Sequence, residues 1–281
     1  MTAPQAVAGP RAFPGRGLGG LSLGVVAALV GLALGLPVVV LVVRAIVDGS
    51  LATALGARVV LDALSLSLVT TAVSLVLTVV IGLPLALVLA RRRFRGAAIL
   101  ETVIDLPIVL PPSVAGLALL LLLGRRGLLG GPLDALGIEL PFTTFAVILA
   151  QTFVSAPFFI RSARTGIAAV DRDLEDAARV DGATESEVFR AITIPLAGPA
   201  LAAGLVMSWA RSLGEFGATI MFAGNVEGKT ETLPLVVYGQ FQGGDLDGSI
   251  AAAAILVLAA FGVLVAVRAL HWGRILDVRS V

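Results

Sequence analysis

The chain has 281 residues, 58% of them hydrophobic and 14% charged, with a formal net charge of +1. A soluble domain carries roughly 25% charged residues, so this balance, with a mean hydropathy of +1.02, excludes a water-soluble globular domain and marks an integral membrane protein. The small net charge implies no nucleic-acid partner, the lack of cysteine excludes disulfides, thiolate metal sites and cysteine nucleophiles, and the single histidine, His271, makes no metal site by itself.

Residues 1–20 contain several glycines and prolines and are expected to be a disordered cytoplasmic segment. The first apolar run, Leu21–Val43, is too long for a cleavable signal, and no small-residue cleavage site follows it before Arg44. It reads as a retained span, with an external loop to about residue 60. Five further runs follow: Leu64–Ala90, Ala97–Leu123, Phe142–Ile160, Leu196–Phe222 and Ile250–Val267. Each is near the roughly 20 residues that cross a bilayer as a helix. The third holds Glu101, Asp105, Pro107, Pro111 and Pro112. It is expected to be a helix bent or broken inside a bundle, which satisfies the freed carbonyls, or else a re-entrant segment. Residues 61–270 make one transmembrane domain, and 271–281 a cytoplasmic tail.

Arginine and lysine orient the spans. With both termini in the cytoplasm, fourteen basic residues lie inside, among them Arg91, Arg92, Arg93 and Arg95. Five lie outside: Arg44, Arg58, Arg125, Arg126 and Lys229. That bias matches the positive-inside rule and puts the polar segment Asp171–Pro195 in the cytoplasm.

This segment reads as two short helices. Asp173 is positioned to cap the first, with Asp176 three residues on, and Gly182 to end it with positive φ. Thr184 and Glu187 form a second capping box, and Val188, Phe189 and Ile192 give the second helix an apolar stripe. Pro195 starts the next span. Capped helices with an apolar stripe need something to pack on, which argues against a merely solvated loop.

The spacing Asp176-Ala177-Ala178, Gly182, Ile192-Thr193-Ile194-Pro195 resembles the EAA loop of ABC-transporter importer permeases, with Asp176 in place of Glu and Ile194 in place of Leu. The resemblance covers roughly residues 60–270. It implies an all-α, MetI-like permease bundle of six transmembrane helices. It also implies that this loop is the coupling helix that docks in a cleft of a cytoplasmic ATPase. The residues so implied are Asp173, Glu175, Asp176, Ala177, Ala178, Gly182, Thr184, Glu187, Val188, Phe189, Ile192 and Pro195. Arg211–Asn225 with Thr232-Leu233-Pro234, Leu106–Val114, and Gln151–Val154 are similar to molybdate permease subunits, and sulfate and thiosulfate permeases share a related Gly-Glu-Phe-Gly pattern.

Arg211 and Glu215, four apart, are expected on one face of the fifth span. They form either a self-neutralising structural pair or, through Arg211, a positive charge along an anion pathway. Gly214 and Gly217 beside them permit close helix approach or a bend. Glu101 and Asp105 share a face that needs cationic partners, in Arg91–Arg95 or in a neighbouring subunit. Ala223–Thr230 fits the loosened form of a phosphate-binding loop, but a span precedes it and Pro234 soon follows, so nucleotide binding is not expected.

The expectation is a non-enzymatic, pathway-forming subunit of an importer for molybdate in a bacterial or archaeal inner membrane. Its partners would be the bilayer, a second copy of itself, two cytoplasmic ATPase subunits and an extracytoplasmic oxyanion-binding protein. No metal and no cofactor of its own is expected, ATP and Mg being bound by the ATPase. The alternatives are a sulfate, thiosulfate or tungstate permease and an ion-coupled secondary carrier. A carrier would show inverted repeats and has no use for the capped cytoplasmic pair.

Overall fold

A computed structural model describes residues 18–277, with side-chain surroundings for residues 23–265, and its regular structure is entirely helical. Helix α1 (Leu18–Val47) is followed by the short α2 (Ser50–Gly56) and by α3 (Arg58–Arg91). Then come α4 (Ala97–Val109), α5 (Pro112–Leu123), the one-turn α6 (Gly130–Ala135) and α7 (Thr144–Ala168). After the polar helices α8 (Arg172–Val180) and α9 (Glu185–Val188), a π-helical turn, Phe189–Thr193, leads into α10 (Ile194–Leu213). The chain ends with α11 (Gly217–Phe222), α12 (Leu233–Gln242) and α13 (Leu246–Asp277). Among the described residues, five stretches are long and apolar enough to cross a membrane, six if the bent pair α4–α5 counts as one. The first seventeen residues and the last four lie outside the described residues, and Leu18–Gly20, expected to be disordered, already belong to α1.

The third span is broken, as its prolines led us to expect, and two further expectations are corrected. The third is two helices at 117°, broken at Leu110-Pro111. Pro111 and Pro112 lack the N–H groups that would continue the helix, and Pro112 suits the first turn of the next. The fifth ends at Leu213 rather than Phe222, and its helix continues back without a break to Glu185 in the polar segment. It breaks at Gly214–Phe216, and α11 is a separate element. The stretch Leu233–Gln242, outside every predicted span, is a helix whose Leu233 and Val236 are buried against α3 and α13.

The centre of the bundle is α3, α7 and α10. Small residues bring α7 and α10 together: a Cβ on Gly166 would stand 2.4 Å from the Cβ of Ala200, and one on Gly204 2.8 Å from that of Ser162. The Ser162 hydroxyl donates to the Ala200 carbonyl at 2.7 Å. Such approach of backbones is how spans pack where lipid offers no hydrophobic drive between them. Helix α3 turns a buried hydroxyl face inward, with Ser67, Thr70, Thr71, Ser74 and Thr78 at helical spacing. Thr152 of α7 donates to the Ser74 hydroxyl at 3.1 Å, Ser212 of α10 to the same oxygen at 3.4 Å, and Ser67 accepts from the Leu233 N–H at 2.7 Å. Apolar clusters lie on both sides of this seam. One, with Ala86, Phe159 and Ile167, is at the end near α8; another, with Ala146, Val154 and Phe222, is at the opposite end.

Candidate functional site

The polar hairpin α8–α9 is built by local signals and tied to the spans by long-range ones. The cap of α8 is Asp171, whose carboxylate accepts from the Asp173 N–H at 3.0 Å, so Asp173 lies in the first turn and not at the cap expected for it. Its charge there still favours the helix. Gly182 has φ 93° and terminates α8. Thr184 and Glu187 form the reciprocal capping box of α9. The backbone N–H and hydroxyl of Thr184 both donate to Glu187, which holds its carboxyl below the usual carboxylate range. Arg179 bridges Asp176 (2.6 Å) and Glu185 (2.7 Å) across the turn, and its hydrogen bond to Glu185 lowers that carboxyl's pKa.

Glu175 is 4% exposed. One of its oxygens accepts from the Arg91 guanidinium at the end of α3 (2.5 Å) and from the Thr193 hydroxyl in the π turn (2.6 Å). One carboxylate thus joins α8 to the ends of two spans. Val188 is buried, and Phe189 and Ile192 are half-buried, Ile192 against the chain's own apolar cluster, so the expected stripe is spent within the chain. Asp173, Asp176 and Ala177 are exposed, Ala178 is half-buried, and Pro195 is exposed at the start of α10. The free apolar surface of the hairpin is Leu174 and Val180 on α8, the latter 87% exposed. Sequence reasoning missed these two residues, and missed Arg91 and Thr193 as partners of Glu175. The three-to-six spacing of Leu174, Ala177 and Val180 was a readable signal.

A second site forms where the two broken spans meet. A Cβ on Gly217 would lie 2.7 Å from that of Pro112, and one on Gly116 2.6 Å from the Ala218 carbonyl. Leu106–Val114 and Arg211–Asn225, separate in sequence, therefore pack on each other, and Val154 of α7 packs in the same cluster as Ala218 and Phe222. Arg211 and Glu215 do pair, at 2.6 Å, but not along one continuous helix face, because α10 ends at Leu213. Glu215 is 1% exposed, and its other oxygen accepts from the Ala218 N–H at 2.7 Å at the start of α11. The Arg211 side chain remains about a quarter exposed. Of the two glycines, Gly217 makes the close approach, whereas Gly214 meets only the Ala210 carbonyl at 3.7 Å.

Glu101 and Asp105 pair with Arg164 (2.9 Å) and Arg161 (3.4 Å), both on α7. Within the chain their cationic partners are therefore on α7 and not in the Arg91–Arg95 cluster. At the far end, Arg125, Arg126, Lys229 and Glu139 line a recess of about 740 Å³. The Lys229 carbonyl accepts from the Thr144 hydroxyl in a loop with no strand before it.

A multi-span helical bundle with two broken spans in contact and a polar hairpin latched to its spans is the architecture of a transport protein's membrane domain. The chain belongs to the family described as binding-protein-dependent transport system inner membrane component, whose model matches residues 82–272. It is a multi-pass membrane protein. It is 43% identical over 135 residues to the molybdenum transport system permease protein ModB of Mycobacterium tuberculosis, a match covering 48% of this chain and 51% of that one. To ModB of Escherichia coli it is 43% identical over 106 residues, 38% of this chain and 46% of that. To the sulfate transport system permease protein CysT of Salmonella typhimurium it is 34% identical over 134 residues, 48% of each. The chain spans about half the length of the curated relatives it matches. Its fold resembles that of a crystal structure of a bacterial ABC transporter involved in the import of alginate, with a TM-score of 0.71 at 17% identity over 89% of this chain and 94% of that one.

Proposed function

We propose that this chain is the membrane-spanning permease subunit of an ATP-driven ABC importer and that its cargo is molybdate. In this reading two copies form the pathway. Two cytoplasmic ATPase subunits bind ATP and Mg, and an extracytoplasmic binding protein delivers the oxyanion. The permease itself carries out no bond chemistry. Both termini and the α8–α9 hairpin face the cytoplasm, as the arginine distribution favours.

The observation that carries the proposal is the Arg91–Glu175–Thr193 latch. A partner seated on the exposed face of α8, at Asp173, Asp176, Ala177 and the apolar Leu174 and Val180, moves Glu175 with it. Glu175 then carries α3 through Arg91 and α10 through Thr193. Helix α10 in turn engages α7 through Gly204 and Ala200, so the three central spans shift together. The two breaks that meet at Pro112 and Gly217 are the places where such a shift changes geometry most easily. Arg211, its guanidinium held by Glu215, supplies the positive charge an oxyanion needs within a low-dielectric path. The greater identity to molybdenum permeases than to the sulfate permease favours molybdate.

The test is uptake in proteoliposomes holding the permease with its own ATPase and binding protein. Molybdate uptake is expected to exceed sulfate uptake, and sulfate transport equal to it or greater would give the cargo to sulfate. In the same assay Gly182→Val should insert normally yet lose about tenfold or more of its uptake, since a β-branched residue held at positive φ costs about 1–2 kcal/mol. A Cβ at Gly182 meets nothing within 4 Å, so such a loss would come from the turn and not from a clash. Near-normal uptake at matched expression would remove the hairpin from the transmission path.

A further inference from the structure

Between the α3–α4 turn, the start of α4 and the ends of α7 and α8 lies a recess of about 520 Å³. That is far larger than the roughly 30 Å³ share of one water. Five arginines line it, Arg91, Arg92, Arg93, Arg164 and Arg172, against one acidic residue, Glu101. Arg91 is committed to Glu175, and Arg164 to Glu101. Arg92, Arg93 and Arg172 have no carboxylate partner among the described residues; Arg172 makes one long hydrogen bond, to the Arg91 carbonyl at 3.4 Å. Gly96, Ala97 and Ala98, where α4 begins, also line the recess. Surplus positive charge of this kind, gathered in a concavity, calls for an anion.

The surroundings decide which anion. The recess sits where two membrane-spanning elements end and begin, α3 closing at Arg91 and α4 opening at Ala97. Below it, α4 presents an exposed apolar stripe of Ile99, Val103 and Leu106, at helical spacing, with Ile99 71% exposed. Phe94 is exposed in the turn itself. A soluble phosphate has no use for that stripe, whereas a phosphodiester carrying acyl chains uses both parts. We infer that this recess binds the phosphate headgroup of an acidic phospholipid, its acyl chains lying along Ile99, Val103 and Leu106. Arg92, Arg93 and Arg172 provide the charge, and the lipid acts as an annular ligand beside the Arg91 end of the Glu175 latch. Juxtamembrane basic clusters recognise anionic lipids in this way. The inference needs only that the chain is embedded in a bilayer and stands or falls apart from the transport reading.

The purified full chain in detergent is titrated with phosphatidylglycerol, with phosphatidylcholine and with inorganic phosphate, and bound molecules are counted by native mass spectrometry. Phosphatidylglycerol is expected to bind in preference to phosphatidylcholine, and millimolar phosphate should not displace it. Arg92→Gln with Arg93→Gln should weaken phosphatidylglycerol binding about thirtyfold, at roughly fivefold for each basic residue near the headgroup. Arg92→Lys with Arg93→Lys should retain most of the affinity. Both residues are exposed, so neither pair threatens the fold. Arg125→Gln with Arg126→Gln, at the opposite end, should leave binding unchanged; an equal loss there would reduce the effect to bulk charge and overturn the site. Displacement by phosphate would make it a soluble-anion site. Unchanged lipid binding by the Arg92/Arg93 glutamine pair would also reject the lipid.

Discussion

Glu175 is the residue on which the hairpin depends. A carboxylate this buried is held in place only because Arg91 and Thr193 replace the water it has lost. Removing one member of a buried pair leaves the other charge uncompensated and costs about 3–5 kcal/mol, whereas replacing both by apolar residues is often neutral. Glu175→Leu and Arg91→Met, taken singly, are therefore expected to lower the melting temperature of the detergent-solubilised chain clearly, and the double variant to recover most of the loss. The two effects should be strongly non-additive in a double-mutant cycle. Additive losses would show that the two residues act separately. Asp176, its neighbour and the acidic residue of the Asp-Ala-Ala motif, is by contrast exposed and, among the described residues, paired only with Arg179 at the surface, where a partner can reach it.

Among the elements, α7 and α10 approach closely because glycine removes a side chain where the other helix needs the space. Gly166 faces Ala200, and Gly204 faces Ser162. Gly166→Val should push the helices apart at a cost of about 1–3 kcal/mol, typical of overpacking. Ala200→Gly in the same chain should recover part of it by vacating the clashing Cβ. Thermal unfolding of the two variants checks this, and a Gly166→Val chain as stable as the parent would show that the helices separate freely. The broken elements follow different rules. Helix α4 stops because Pro111 and Pro112 cannot donate, but α10 stops at a Gly-Glu-Phe stretch with no proline. There the buried Glu215 satisfies the Ala218 N–H at the start of α11 and so stabilises a new start.

At the scale of the molecule, the charged groups separate to opposite ends of the apolar bundle. Arg91, Arg92, Arg93, Arg164, Arg172 and the hairpin are at one end; Arg125, Arg126, Glu139 and Lys229 are at the other. That separation fits the fourteen-to-five division of basic residues read from six spans. A chain without cysteine allows a clean check. A single cysteine at Asp181 should react with an impermeant thiol reagent only from the cytoplasmic side, and one at Lys229 only from the outside. Reaction of both from one side would end the six-span topology.

Composition and local spacing by themselves determined that the chain spans a membrane several times, that a polar hairpin interrupts the spans, and which residues turn it and cap its second helix; the cap of the first, Asp171, was not among them. Gly182, Thr184 and Glu187 act through neighbours a few residues away, so their roles are written in the sequence. What only the tertiary structure decided depends on helix rotation and depth. The partners of Glu101 and Asp105 are on α7, Glu175 is buried while Asp176 beside it is exposed, and the apolar run Leu233–Gln242 folds into the bundle rather than standing outside it. The physical reason is the solvent. In water an amphipathic pattern reveals which face of a helix is buried, but in lipid the outer face is as apolar as the inner one, so hydrophobicity carries almost no information on rotation. Small and hydroxylated residues carry that information instead: Ser67, Thr70, Thr71, Ser74 and Thr78 mark the buried face of α3, and Gly166 and Gly204 mark that of its neighbours. Which of them meet is settled only when all three helices are packed together.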